Sequence, residues 1–143
     1  MIGTPMADVV ETLSRVPLFT GVAREKLAKL ATQMAERSFS EGESATEEGR
    51  GGAAFWVIEA GEATVAVQGE IVRTLGPGDY FGEIALLDEG VRTATVTAAT
   101  DMRCHGMSPW EFRAFVDENP DAAWAMMRAL AVRLRESEGR PAS

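Results

Sequence analysis

Ten of the fourteen glycines lie between Gly42 and Gly90, and they divide that stretch into short pieces rich in Val, Ile, Thr and aromatic residues. Such punctuation reads as consecutive β-strands joined by turns, because glycine accepts backbone angles that other residues avoid, while β-branched and aromatic side chains suit a pleated surface. The strand-length pieces are Ala53 to Ala60, Glu62 to Val67, Glu70 to Leu75 and Thr93 to Ala98. Gly76-Pro77-Gly78-Asp79 is a strong turn, since Pro fixes φ and Gly tolerates positive φ. Several short strands at this spacing favour a roll or a sandwich.

The two ends read as helices. Asp8 with Glu11 resembles a capping box ahead of Val9, Val10 and Leu13, and Leu27, Leu30, Ala31 and Met34 then recur at helical spacing. After the strands, Ser108-Pro109-Trp110-Glu111 supplies an N-cap, a proline for the first helical position and a glutamate that can return to the cap. Asn119-Pro120 repeats the start signal. The final helix carries Ala123, Met127, Leu130, Ala131 and Leu134 as an apolar stripe, with Arg128, Arg133 and Arg135 elsewhere. The expected organisation is a single domain over 1–143, with N-terminal helices over about 8–36, a roll over about 37–107 and C-terminal helices over about 108–137.

Size and charge narrow the function. At 143 residues the chain fits one domain of about 100 to 150 residues. Its 14 Lys+Arg against 22 Asp+Glu give a net charge of -8, which repels phosphate backbones and anionic membrane surfaces. Neither direct nucleic-acid binding nor membrane association is expected. The N-terminus lacks a signal peptide's pattern, and no apolar run reaches the about 18 residues of a spanning helix. The single cysteine, Cys104, fits a reducing cytoplasm.

Enzyme chemistry finds little support. Metal sites in rolls commonly use two or three histidines, and this chain has only His105, so no metal is expected. Cys104 and His105 are adjacent on a strand and point to opposite faces, which excludes a direct Cys-His pair. The expected reading is non-enzymatic, with both residues structural.

Binding chemistry concentrates elsewhere. Between Glu41 and Gly90 there are eleven acids against two bases, Arg50 and Arg73, and Arg92 follows. From Gly78 to Leu87 the sequence passes from a tight turn into helix-forming residues, which offers backbone N–H groups to an anion. Gly82 permits close approach, and Arg92 can grip two phosphate oxygens with its planar fork. Glu83 would repel that phosphate unless it accepts a hydrogen bond from a sugar hydroxyl of the same ligand. Phosphate and ribose together mean a nucleotide.

The run Phe81-Gly82-Glu83-Ile84-Ala85-Leu86-Leu87, followed after four residues by Arg92-Thr93-Ala94-Thr95-Val96, resembles the phosphate-binding cassette of cyclic nucleotide-binding domains. Val16-Pro17-Leu18-Phe19 and Phe55-Trp56-Val57-Ile58-Glu59-Ala60-Gly61 resemble that family's turn before the first strand and its third strand. The resemblance runs from about Leu13 to Leu134. It implies a mainly β fold with flanking α: an eight-stranded antiparallel, jelly-roll-like β-roll with N-terminal helices, a short cassette helix and two C-terminal helices. It further implies that Glu83 receives the ribose 2′-hydroxyl, that Gly82 and the amides of Ile84 and Ala85 line the cyclic phosphate, and that Arg92 and Thr93 complete the cradle. Val65 and Leu75 are the implied strand-side contacts of the base, with Met127, Leu130 and Leu134 as lid candidates. Val91 stands where the family often has proline.

The implied ligand is cAMP, with cGMP open because the Thr93 hydroxyl could also reach a guanine amino group. No cofactor is expected. The chain carries no recognisable output domain, so an effector protein is the expected partner, and a homodimer through the last helix would cover its apolar stripe. The alternative is a docking or dimerisation module on the same fold, with weak or absent nucleotide binding.

Overall fold

A computed structural model describes residues 6–46, 54–83, 85–88 and 94–139. Its first helix, α1, spans Met6–Ser14. Asp8 therefore sits in the first turn rather than at the cap, a place that the helix dipole also favours for a carboxylate. A 3₁₀ turn at Pro17–Phe19 leads to α2, Arg24–Ala31. Helix was expected to continue to about residue 36, but the chain turns after Ala31 and begins strand β1 at Ala35–Phe39. Long-range pairing decides this: β1 runs antiparallel to β8 (Met102–Met107), from Ala35 opposite Gly106 to Phe39 opposite Met102.

The other strands are β2 (Ser44–Thr46), β3 (Phe55–Ala60), β4 (Ala63–Val67), β5 (Glu70–Leu75), β6 (Tyr80–Phe81) and β7 (Thr95–Ala98). They form two four-stranded antiparallel sheets, ordered β1-β8-β3-β6 and β2-β7-β4-β5. The fold is the expected mainly β roll with flanking helices. The Gly76 to Asp79 turn closes through Asp79 N–H donating to the Gly76 carbonyl at 2.9 Å, and the Asp79 carboxylate accepts from Gly76 N–H at 2.8 Å. At the β3–β4 turn Gly61 has φ +90°, and a Cβ there would lie 2.2 Å from the Asp101 carbonyl oxygen. Any side chain would push the two sheets' connection apart.

Alternation along β3 makes the first sheet a partition between two cores. Phe55 and Val57 face a helical core with Leu13, Val16, Phe19, Leu27, Phe112, Phe115 and Met126. Ile58 faces the roll interior with Phe39, Val65, Leu75, Phe81, Val96, Met102 and Cys104. Each buried aliphatic or aromatic side chain contributes about 1.5 to 3 kcal/mol, so both layers stabilise this one sheet.

The cassette helix α3 is Ala85–Asp88, and the C-terminal helices are α4, Pro109–Glu118, and α5, Pro120–Ser137. The capping box read at Ser108 and Glu111 is present in full, with Ser108 Oγ accepting from Glu111 N–H and the Glu111 carboxylate accepting from Ser108 N–H. Asn119 does not cap α5 with its side chain. Its amide instead donates to the Phe115 carbonyl at 2.9 Å, tying off the end of α4, and Pro120 alone marks the start of α5. The packed face of α5 is also shifted from the expected stripe. Ala122 and Met126 are buried and Leu130 half-buried, whereas Met127 and Leu134 are exposed, as are Trp124 and Val132. Among the described residues no helix is long and apolar enough to cross a membrane.

Candidate functional site

β6 delivers the site. Tyr80 pairs with Val57 and Phe81 with Trp56, which fixes the strand against the first sheet, and Phe81 packs into the roll interior with Val65 and Leu75. The two expected base contacts therefore share one apolar cluster, and both are buried. Directly after β6 the chain turns through Gly82 at φ +83°, a conformation that glycine alone adopts without strain, and Glu83 follows. Leu86 N–H then donates to the Glu83 carbonyl at 3.2 Å, starting α3, and the Leu86 side chain is buried in the helical core. A four-residue helix anchored through Leu86 thus couples the Glu83 backbone to the layer that holds α1, α4 and α5.

The Glu83 side chain is half-buried. Burial pushes its carboxyl above the ordinary glutamate value, and the Arg133 and Arg73 guanidinium groups pull it back down. The Tyr80 phenol is raised by burial and by the Glu83 charge, and lowered by the same two arginines. One acid, one phenol and two cations from α5 and β5 thus share a field at the end of β6. Arg73 lies opposite Val65 in the β4–β5 pairing. Arg133 is half-buried, and its Nη1 has no hydrogen-bond partner among the described residues. A buried guanidinium N–H without a hydrogen bond is costly unless something polar reaches it.

Ile84, Arg92 and Thr93 lie outside the described residues, and of Ala85 only the backbone, in α3, is described. The lid candidates do not converge on Val65 and Leu75. Leu130 packs against the helical core instead, and Met127 and Leu134 are 52% and 61% exposed. The residues that sequence reasoning missed are Arg73 and Arg133. Arg133 carried a readable signal: it lies three residues after Leu130 and seven after Met126, on the packed face of α5, where an arginine needs a buried partner.

Cys104 and His105 point to opposite faces, as period two requires. Cys104 enters the roll interior, where burial chiefly, with the Glu59 charge, pushes its thiol up to about 12 against a lowering by Arg37, which disfavours the thiolate at neutral pH. His105 has a partner from a distant strand: its Nε2 lies 2.8 Å from Glu59 Oε1.

The model of the cyclic nucleotide-binding domain matches residues 36–119. The chain belongs to this family. It is 29% identical over 132 residues to a CRP-like cAMP-activated global transcriptional regulator of Mycobacterium tuberculosis, covering 89% of this chain and 59% of that one. It is 41% identical over 93 residues to a cAMP-dependent protein kinase regulatory subunit of Yarrowia lipolytica, covering 64% and 25%. Among solved structures, the N-terminal domain of a transcriptional regulator from Streptomyces coelicolor A3(2) superposes with a TM-score of 0.82 at 28% identity, covering 92% of this chain and 99% of that one. The catabolite activator protein of Thermus thermophilus gives 0.69 at 30% identity, covering 86% and 60%. The family match spans every element from β1 to α4, with Glu83 inside it. The chain itself spans less than two thirds of the length of these curated relatives.

Proposed function

We propose that this cyclic nucleotide-binding domain is a non-enzymatic sensor that binds cAMP through Glu83, Arg92 and Thr93 and passes the signal to an effector protein through its C-terminal helices. The observation that carries the reading is the Glu83 carboxylate, half-buried after a positive-φ glycine and within the field of an α5 arginine whose buried Nη1 has no hydrogen bond among the described residues. A ribose hydroxyl donating to Glu83 and an anionic oxygen accepting from Arg133 would satisfy both groups at once. The implied cradle adds Gly82, Ile84 and Ala85 backbone amides, with Val65 and Leu75 under the base. The names of the relatives, a cAMP-activated regulator and a cAMP-dependent kinase subunit, support the same ligand. Binding uses no cofactor, and the buried reduced cysteine fits the cytoplasm.

One observation favours cGMP as a second reading. Arg73 faces the pairing position of Val65 and acts on Glu83, and an arginine fork matches the O6 and N7 acceptors of guanine where adenine offers a donor at position 6. Signalling follows as a population shift: ligand phosphate draws Arg92 and α3 inward, the buried Leu86 carries the motion to α4 and α5, and the exposed Met127 and Leu134 become cover for the base or for a second copy.

Calorimetric titration with cAMP and cGMP tests the reading. Wild type should bind one nucleotide per chain. Arg92→Ala should lose about 30-fold to several thousand-fold in affinity, which corresponds to about 2 to 5 kcal/mol. Arg73→Ala should weaken cGMP and spare cAMP if the fork reads guanine. Absence of heat with either nucleotide at millimolar concentration would overturn sensing in favour of a docking module.

A further inference from the structure

On the outer face of the first sheet, three neighbouring strands bring together the only histidine of the chain and two carboxylates. Glu36 on β1 is directly opposite His105 on β8, and Glu59 on β3 reaches the same ring from the other side. One ligand atom from each of Glu36, Glu59 and His105 lies within 4.8 Å of the other two. The side chains of Glu59 and His105 are 7% and 13% exposed, and Glu36 closes the group at the solvent side. A cavity of about 240 Å³ opens beside Glu59 and His105, between α1 and the turn at Pro77 and Gly78.

We propose that Glu36, Glu59 and His105 form a binding site for a divalent transition-metal ion of the zinc class, distinct from the nucleotide site. The donor set decides the class, since an imidazole with carboxylates suits zinc and its first-row neighbours rather than calcium or magnesium. Geometry agrees. The His105 Nε2 to Glu59 Oε1 separation is 2.8 Å, whereas two ligands of a tetrahedral zinc ion at about 2.0 to 2.2 Å are separated by about 3.3 to 3.6 Å, so the ion takes the place of the shared proton once the pair opens by about 0.5 to 0.8 Å. Arg103 holds the other oxygen of Glu59, which leaves Oε1 oriented toward the ring, the role of an outer-shell partner. Around the group and its cavity the carboxylates of Glu36, Glu59, Asp8 and Glu11 outnumber the guanidinium groups of Arg103 and Arg15, and the cavity has room for the water that completes a four-coordinate shell. Because Cys104 points into the roll and His105 away from it, the site lies across the sheet from Val65 and Leu75. It does not depend on the nucleotide reading.

Zinc titration of the full chain, followed by calorimetry and by the imidazole resonances of the single histidine, tests the site. The expected result is one zinc per chain with both imidazole proton signals shifted, binding lost in His105→Gln, and at least tenfold weaker binding in Glu36→Gln. Glu36 is exposed on its strand, so that variant keeps the fold even if a Glu59 variant does not. Zinc binding that survives His105→Gln undiminished, imidazole signals unmoved at millimolar zinc, or full affinity in Glu36→Gln would each overturn the three-ligand site.

Discussion

Two desolvated glutamates of one roll are accommodated by opposite means. Glu59 sits under α1 with both carboxylate oxygens engaged, one by Arg103 and the other by His105. Glu83 sits after β6, where its cations, Arg133 and Arg73, act through the field and burial still wins, holding the carboxyl above its ordinary value. The first is held by direct side-chain contacts and the second, among the described residues, by the field of two arginines. Under the proposed function a nucleotide completes the Glu83 side, whereas protein side chains already hold both oxygens of Glu59, so the two differ in what the folded chain itself supplies.

The comparison breaks most visibly at Glu59. Replacing Glu59 with Gln takes the charge from between Arg103 and His105, both largely buried, and removing one member of such a group costs about 3 to 5 kcal/mol. Chemical denaturation should show this loss in full at neutral pH. A loss below about 1 kcal/mol, the level of an exposed ion pair, would mean that the network is solvated and that the contrast is false.

Glu83→Gln should move stability the other way. A carboxyl whose folded pKa is raised favours its protonated form on folding, so its contribution is fully present below the ordinary value of 4.5 and is lost as pH rises through the raised folded value. At neutral pH the charged Glu83 therefore opposes folding, and its neutral isostere should be more stable than wild type in the absence of nucleotide. The gain should vanish in acid, below 4.5, where both side chains are neutral. The same variant should lose nucleotide affinity. Denaturation curves at the two pH values decide it, and a destabilised Glu83→Gln at neutral pH would mean that Glu83, like Glu59, is held by direct contacts within the fold.

What the sequence made legible is local. The Ser108 capping box, the Gly76 to Asp79 turn and the opposite facing of Cys104 and His105 each depend on residues within four positions, and all three are present. The run Phe81-Gly82-Glu83 was legible because a sharp turn, a close approach and a lone acid are packed into three residues. β1 was not, since Ala35 to Ser38 are all exposed and show no alternation; only the distant β8 makes them a strand. The partner of His105 was hidden for the same reason, because Glu59 is 46 residues away and meets it through the β3–β8 register. α5 misled in a different way. Its apolar residues are enough for two faces, and the core took Ala122, Met126 and Leu130 while leaving Met127 and Leu134 outside.

Arg133→Met offers the finest resolution of the contrast. Methionine keeps much of the stem's packing on α5 and removes the guanidinium, so one of the two cations that lower the Glu83 carboxyl is gone while burial remains. The Glu83 pKa should rise further, and the Tyr80 phenol should rise with it, because Arg133 acts on both. Stability should change by less than in either glutamate variant, since the loss of Coulomb attraction is offset by removing a buried N–H that has no partner among the described residues. Carboxyl titration by NMR in the absence of nucleotide reads the shift directly. A Glu83 titration unchanged in this variant, with Arg73→Met shifting it instead, would move the α5 arginine out of the site and leave the β5 arginine as its cation.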